Sequence, residues 1–182
     1  MLFQMVSLVL DVVAGLIAGT CLLRFLMQWQ RISFHQPLGQ FVFAVTDWLL
    51  LPLRRVIPAW SAWDLSSLVG AFLIKLVQYT LLWLVAGGQG ALGLLPLVSL
   101  VGLAQLVVSA LSALVLVLAV LSWINPGSPM YSLVARLGQP FLRPFQRLVP
   151  LIGGVDLSPI ALLLVLQLLG MVFARLQMSW MY

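Results

Sequence analysis

Charge is what this chain has least of. Only 7% of its 182 residues are Asp, Glu, Lys or Arg, whereas 63% are hydrophobic. A water-soluble domain carries about 25% charged residues, so the polar surface is too small for a water-facing exterior and lipid is the expected solvent. Cysteine is nearly missing too. Cys21 stands alone, which excludes an intramolecular disulfide, and within an apolar stretch it reads as a packed, inert thiol. No Lys or Arg precedes Arg24, so the basic start of a cleaved signal peptide is lacking, and Ala18-Gly19-Thr20 resembles a lipoprotein cleavage site only loosely. The first hydrophobic segment is expected to be a retained anchor.

The groups that carry catalysis are equally scarce. His35 is the single histidine. By itself it cannot supply two haem ligands or a histidine-based metal cluster, and it reads as an interfacial polar residue. The four carboxylates are scattered, with no acid–base pairing. The glycine run from Gly87 to Gly93 lacks the Lys-Ser/Thr sequel of a phosphate loop. The expectation is a protein that is not an enzyme and carries no cofactor or metal.

Long apolar runs fill the chain instead. Four are long enough for the roughly 20 residues that cross a bilayer: about 5–29, 65–86, 97–124 and 157–176. Transmembrane strands would alternate in polarity over short segments, and these runs do not. The fold class is therefore an all-α membrane protein with four transmembrane helices. The net charge of +5 and pI near 10.4 do not point to direct nucleic-acid binding, because the basic residues flank the spans. Their expected partners are anionic lipid headgroups.

Between spans one and two, and again between three and four, lies a connector too apolar to float in water and too short to cross. The first holds Phe41-Val42-Phe43-Ala44-Val45 and Trp48-Leu49-Leu50-Leu51, interrupted by Asp47. The second holds Met130 to Leu137 and then Phe141-Leu142-Arg143. Amphipathic helices lying in the interface satisfy both limits; re-entrant segments are the rival reading.

The connectors repeat each other. Pro52-Leu53-Arg54-Arg55-Val56-Ile57-Pro58 returns as Pro144-Phe145-Gln146-Arg147-Leu148-Val149-Pro150. In the same register Asp64-Leu65-Ser66 matches Asp156-Leu157-Ser158 and Pro37 matches Pro129, while Trp29 matches Trp123 with two residues of slack. The chain reads as a tandem duplication, 1–90 and 91–182. Each copy holds two spans, so both enter the membrane the same way round, as parallel repeats. Both connectors then share one face, with Arg31, Arg54, Arg55, Arg136, Arg143 and Arg147; the other has only Arg175 near its end. The positive-inside bias places the connectors in the cytoplasm and both termini outside.

Local roles follow. Pro52 and Pro58 are expected to bound a short arginine-bearing turn. Asp64 and Asp156 precede apolar runs, where a carboxylate can cap a helix, and Pro159 falls in a first turn. The arginines at 54, 55, 143 and 147 read as lipid-phosphate contacts or as a docking surface for a protein partner.

Two copies of Pro-[Leu/Phe]-x-Arg-[Val/Leu]-[Ile/Val]-Pro, each followed by Asp before a span, resemble the YggT family, as does Arg24-Phe25-Leu26-Met27-Gln28-Trp29. One departure is Gln146, which breaks the arginine pair of the first copy. The resemblance covers nearly the whole chain. It implies a bacterial inner-membrane protein akin to YlmG proteins associated with cell division, to plastid proteins of cytochrome assembly and nucleoid distribution, and to relatives linked to osmotic-stress tolerance.

Charges inside spans are costly and invite a functional reading. Arg24 and Asp64 fall at similar depth, so an Arg24–Asp64 pair is expected. Lys75 lies about 16 Å below Ala86, against about 8–9 Å for Asp11 below Met5, counted at the helical rise; pairing or snorkelling and a proton or ion role are both open. Gln78, Gln105, Ser109, Ser112 and Gln167 could hydrogen-bond between helices. Gly15 with Gly19, and Gly170 with Ala174, are small-residue pairs that would let helices approach closely, within a chain or between chains. Two function classes remain. One is a membrane scaffold or assembly factor with a division or assembly protein as partner. The other is a transport component, which with four helices per chain would need a homo-oligomer.

Overall fold

The computed structural model describes residues 2–32, 37–56, 64–88, 92–148 and 157–181. His35, Pro58, Pro150 and Asp156 lie outside these residues. Among the described residues six α-helices follow one another: α1 (Leu2–Trp29), α2 (Pro37–Val56), α3 (Leu65–Val85), α4 (Leu95–Ile124), α5 (Pro129–Leu148) and α6 (Ser158–Met181). No strand occurs among the described residues. Four helices are long and apolar enough to cross a membrane: Phe3–Trp29, Leu65–Val85, Ser158–Gln177, and Leu92–Ile124, which includes a 3-10 turn at Leu92–Leu94. The four expected spans are all present.

Helix ends follow local chemistry. After α3, Gly87 and Gly88 take positive φ of 88° and 70°, a region glycine enters without a Cβ clash. Gly88 N–H then donates to the Trp83 carbonyl at 2.9 Å, satisfying an end carbonyl of the helix. At the end of α1 the same left-handed turn falls on Arg31 (φ 52°), and Ile32 N–H donates to the Met27 carbonyl at 2.9 Å. Ser128 caps α5: its Oγ accepts from Tyr131 N–H at 3.0 Å, and Pro129 occupies the first helical position.

Both connectors are 20-residue helices, α2 and α5. The expected arginine-bearing turn at Pro52 is not there. Pro52 lies inside α2, and Pro140 and Pro144 lie inside α5. A proline inside a helix removes one N–H bond and crowds the preceding turn, yet both helices continue through theirs.

The chain packs as two units. The first comprises Met1–Val107 with Phe173–Tyr182, the second Val108–Val172. In the first, α1 packs chiefly on α3, and α2 lies against both. Its core is Ala18, Cys21, Leu22, Leu50, Ala71 and Leu103, flanked by Leu53, Leu68 and Phe72. Cys21 is a buried free thiol, as expected. Close approach is provided by Gly70, where a Cβ would stand 2.8 Å from Leu50 Cδ2, and by Gly102, where it would run into the Tyr79 ring. Gly15 and Gly19 serve no close approach within the described chain: nothing lies within 4 Å of a Cβ at either. In the second unit Leu118, Leu133, Val134, Leu137, Leu142, Leu162 and Leu166 are buried; a Cβ at Gly138 would stand 3.4 Å from Leu118, and one at Gly170 3.8 Å from Val108.

Gly70 and Gly15 are therefore expected to respond differently to a large side chain. Gly70→Leu overpacks the fully buried Leu50 and should cost about 1–3 kcal/mol, whereas Gly15→Leu should leave stability nearly unchanged. Unfolding of the two variants in mild detergent checks this.

Candidate functional site

Two polar centres interrupt the first unit, one at each end of α1. The first is built on α1 and α2. Arg24 is only 2% exposed. Its Nη1 donates to Thr46 Oγ1 and to Asp47 Oδ1, both at 2.7 Å, and its guanidinium carbon sits 4.3 Å from the centre of the Phe43 ring. Thr46 Oγ1 passes its own proton to the Val42 carbonyl at 2.7 Å. An apolar helix with a buried cation thus receives an anion, a hydroxyl oxygen and an aromatic face from one neighbouring helix. This corrects the expected Arg24–Asp64 pair: Arg24 pairs with Asp47.

Asp64 pairs with Arg54 instead, Nη2 to Oδ2 at 2.7 Å. Arg54 Nη2 also lies 3.4 Å from Gln28 Oε1 on α1, so the end of α2 is tied to both α1 and the start of α3. Asp64 does precede α3, but its carboxylate caps no backbone N–H. It accepts from the hydroxyls of Ser66 and Ser67, the latter at 2.6 Å. Burial opposes ionisation of Asp64, but the hydroxyls of Ser66 and Ser67 and the Arg54 guanidinium outweigh it and hold the carboxyl below its ordinary value.

The second centre links α3 to α1 nearer the start of α1. Lys75, on the buried side of α3, donates from Nζ to Gln78 Oε1 at 2.9 Å. Gln78 Nε2 donates in turn to Asp11 Oδ1. Lysine and aspartate therefore do not touch; the glutamine amide stands between them, its carbonyl toward the ammonium and its NH2 toward the carboxylate. Beside it, Gln177 Nε2 donates to the Tyr79 hydroxyl. Asp11 is exposed on the surface of α1.

Arg55, Arg136, Arg143 and Arg147 are exposed, and the two ion pairs among the described residues involve none of them. Asp156 lies outside the described residues. No group of three or more potential metal ligands occurs among the described residues. Thr46, Asp47, Gln28, Ser66 and Ser67 were not expected in a site. One signal could have found Thr46: Gly39, Val42, Thr46 and Leu50 form a buried stripe on α2 at spacings of three and four, and a hydroxyl within it calls for a partner.

Four membrane-length apolar helices define a multi-pass α-helical membrane protein. Relatives narrow this. The chain belongs to the CCB3/YggT family, which it matches over residues 3–85 and again over 97–177. It is 35% identical over 166 residues to "Uncharacterized protein YggT" of Escherichia coli (strain K12), covering 91% of this chain and 87% of that one. It is 39% identical over 167 residues to "Uncharacterized protein PA0392" of Pseudomonas aeruginosa, covering 90% and 85%. A Haemophilus influenzae protein is 30% identical over 165 residues, covering 90% and 88%. No solved structure matches the chain.

Asp64→Ala is expected to cost about 2–3 kcal/mol, since it strips acceptors from two buried hydroxyls and from Arg54. The sign of its pH dependence is fixed. A carboxyl whose folded pKa lies below its unfolded value near 3.9 stabilises fully above that value, and the contribution is lost as pH falls through the folded pKa. Detergent unfolding curves should show an acid-side loss that Asp64→Asn lacks.

Proposed function

We propose that this protein is a small scaffold or assembly factor of the bacterial inner membrane, linked to cell division or to envelope and osmotic-stress tolerance. The carrying observation is how the charges are divided. Buried Arg24, Lys75 and Asp64 are engaged inside the first unit, while Arg55, Arg136, Arg143 and Arg147 on the connector helices turn outward. Such a molecule presents basic surface beside the membrane for lipid or for a division or assembly client.

The architecture in this reading is two parallel tandem repeats, each a hairpin of spans with an amphipathic interfacial connector. Two matches to one family, at 3–85 and 97–177, support it, as do connector helices of equal length that begin at Pro37 and Pro129. The arginine bias of the connectors supports placing them in the cytoplasm, with both termini outside.

Laid in that register, the copies have diverged at the polar centres. Leu118 stands for Arg24, Gly138 for Thr46 and Gln139 for Asp47. Gln146 stands for Arg54, Gln167 for Lys75, Gln105 for Asp11 and Gly170 for Gln78. Five charges of the first copy, Asp11, Arg24, Asp47, Arg54 and Lys75, are thus neutral in the second. The Arg24–Thr46 contact becomes Leu118 against Gly138, an apolar contact at the same place. Arg55 and Asp64, by contrast, keep their counterparts Arg147 and Asp156.

A second reading rests on the Asp11–Gln78–Lys75 chain. A carboxylate exposed on a membrane-length helix is costly in lipid and would suit a proton or ion path in an oligomer. Purified protein in liposomes separates the two. The scaffold reading expects no ion or solute flux above that of empty liposomes; robust flux abolished by Asp11→Asn or Lys75→Met would overturn it in favour of transport.

A further inference from the structure

The two connector helices do not offer the same surface. α2 turns much of its charge inward: Asp47 holds Arg24, and Arg54 is engaged by Asp64, leaving Arg55 exposed. α5 has no carboxylate at all. Its buried side is Leu133, Val134, Leu137, Gly138 and Leu142. Arg136, Arg143 and Arg147 follow at spacings that, at 3.6 residues per turn, place them within a narrow arc on the opposite side. All three are exposed, and the two ion pairs among the described residues include none of them. They form a row about 16 Å long, at the helical rise per residue.

What faces this row is constrained by the chain itself. α4 is a membrane-length helix that ends at Ile124, with Trp123 and Ile124 strongly exposed, as suits an aromatic ring at headgroup depth. α5 begins at Pro129 after Asn125, Pro126, Gly127 and Ser128. The link is a turn, in which Ser128 N–H donates to the Asn125 carbonyl at 3.2 Å, so α5 starts close to the end of α4. The start of α5 therefore stays within the headgroup zone. The chemistry always within reach of its arginines is the phosphate of lipid, which guanidinium groups bind as forked donors.

We propose that the outward face of α5, through Arg136, Arg143 and Arg147, binds the phosphates of anionic lipid headgroups and is the principal lipid-charge sensor of the molecule, the first connector contributing little. This deepens the scaffold reading and rests on it for the siting of α5 at a membrane surface. Each arginine held in an anionic surface potential contributes about fivefold to surface partition, so the row acts as a unit that salt weakens.

The test uses the full chain in vesicles of phosphatidylcholine alone or mixed with phosphatidylglycerol. An environment-sensitive maleimide dye is attached at Gln139→Cys, an exposed position on the polar side of α5; Cys21 is fully buried and should not react. Phosphatidylglycerol should shift the dye emission, and added salt should reverse the shift. Replacing Arg136, Arg143 and Arg147 together with Gln should abolish it, whereas Arg55→Gln should leave it intact. An emission insensitive to lipid charge would overturn the proposal and leave the row to an acidic protein segment, as would a shift that survives the triple replacement. Circular dichroism of the triple variant separates a lost contact from a lost helix. Both leaflets carry the same charge, so an inverted topology would not hide the effect, and the flux assay decides the scaffold reading independently.

Discussion

A guanidinium shut away from water inside a membrane-length helix has to meet an anion or be expelled, because an unpaired buried charge costs several kcal/mol. Arg24 meets that demand through α2. Asp47, Thr46 and Phe43 converge on it, and with them α2 is fixed in rotation: Val42, Thr46 and Leu50 turn inward and Trp48 turns out. Once α2 is seated, Leu50 fills the space left by Gly70 on α3, and Arg54 arrives beside Asp64 at the head of α3. The first unit is organised by satisfying one cation.

Much of this architecture is legible in the residues. The four spans follow from apolar runs longer than a bilayer is thick, and the Gly87-Gly88 turn from two glycines at positive φ. The helical connectors follow from stretches too apolar for loops. What stayed hidden has a common cause. Depth along a helix can be counted from sequence, but the angle at which a neighbour presents its side chains cannot. Arg24 and Asp64 do not pair with each other; α2 supplies Asp47 to one and Arg54 to the other. Similarly Asp11 and Lys75 belong together, but Gln78 occupies the space between them. Pro52 misleads for another reason: proline usually marks an end, and here the helix runs on through it to Val56. Gly15 and Gly19 have the spacing of a close-approach pair but face open space.

In the proposed duplication the two copies solve the burial problem differently. The first spends charge on holding itself together. The second replaces the cation by Leu118 and its hydroxyl partner by Gly138, a substitution of apolar packing for an ion pair that proteins tolerate well. The second connector carries no carboxylate, and Arg136, Arg143 and Arg147 lie exposed on it. A division of labour of this kind, one half structural and one half outward-looking, is what a small scaffold at a membrane surface needs.

The most direct test is the stability of Asp47→Ala, Arg24→Leu and the two combined, measured by unfolding in mild detergent. Asp47→Ala alone strands a cation that is 2% exposed and should cost about 3 kcal/mol. Arg24→Leu leaves only a carboxylate that is 40% exposed and should cost about 1 kcal/mol. Adding Arg24→Leu to Asp47→Ala should restore most of the loss, because the stranded charge is gone. A double variant as unstable as the sum of the single ones would contradict the account, since Arg24 and Asp47 would then contribute independently of each other.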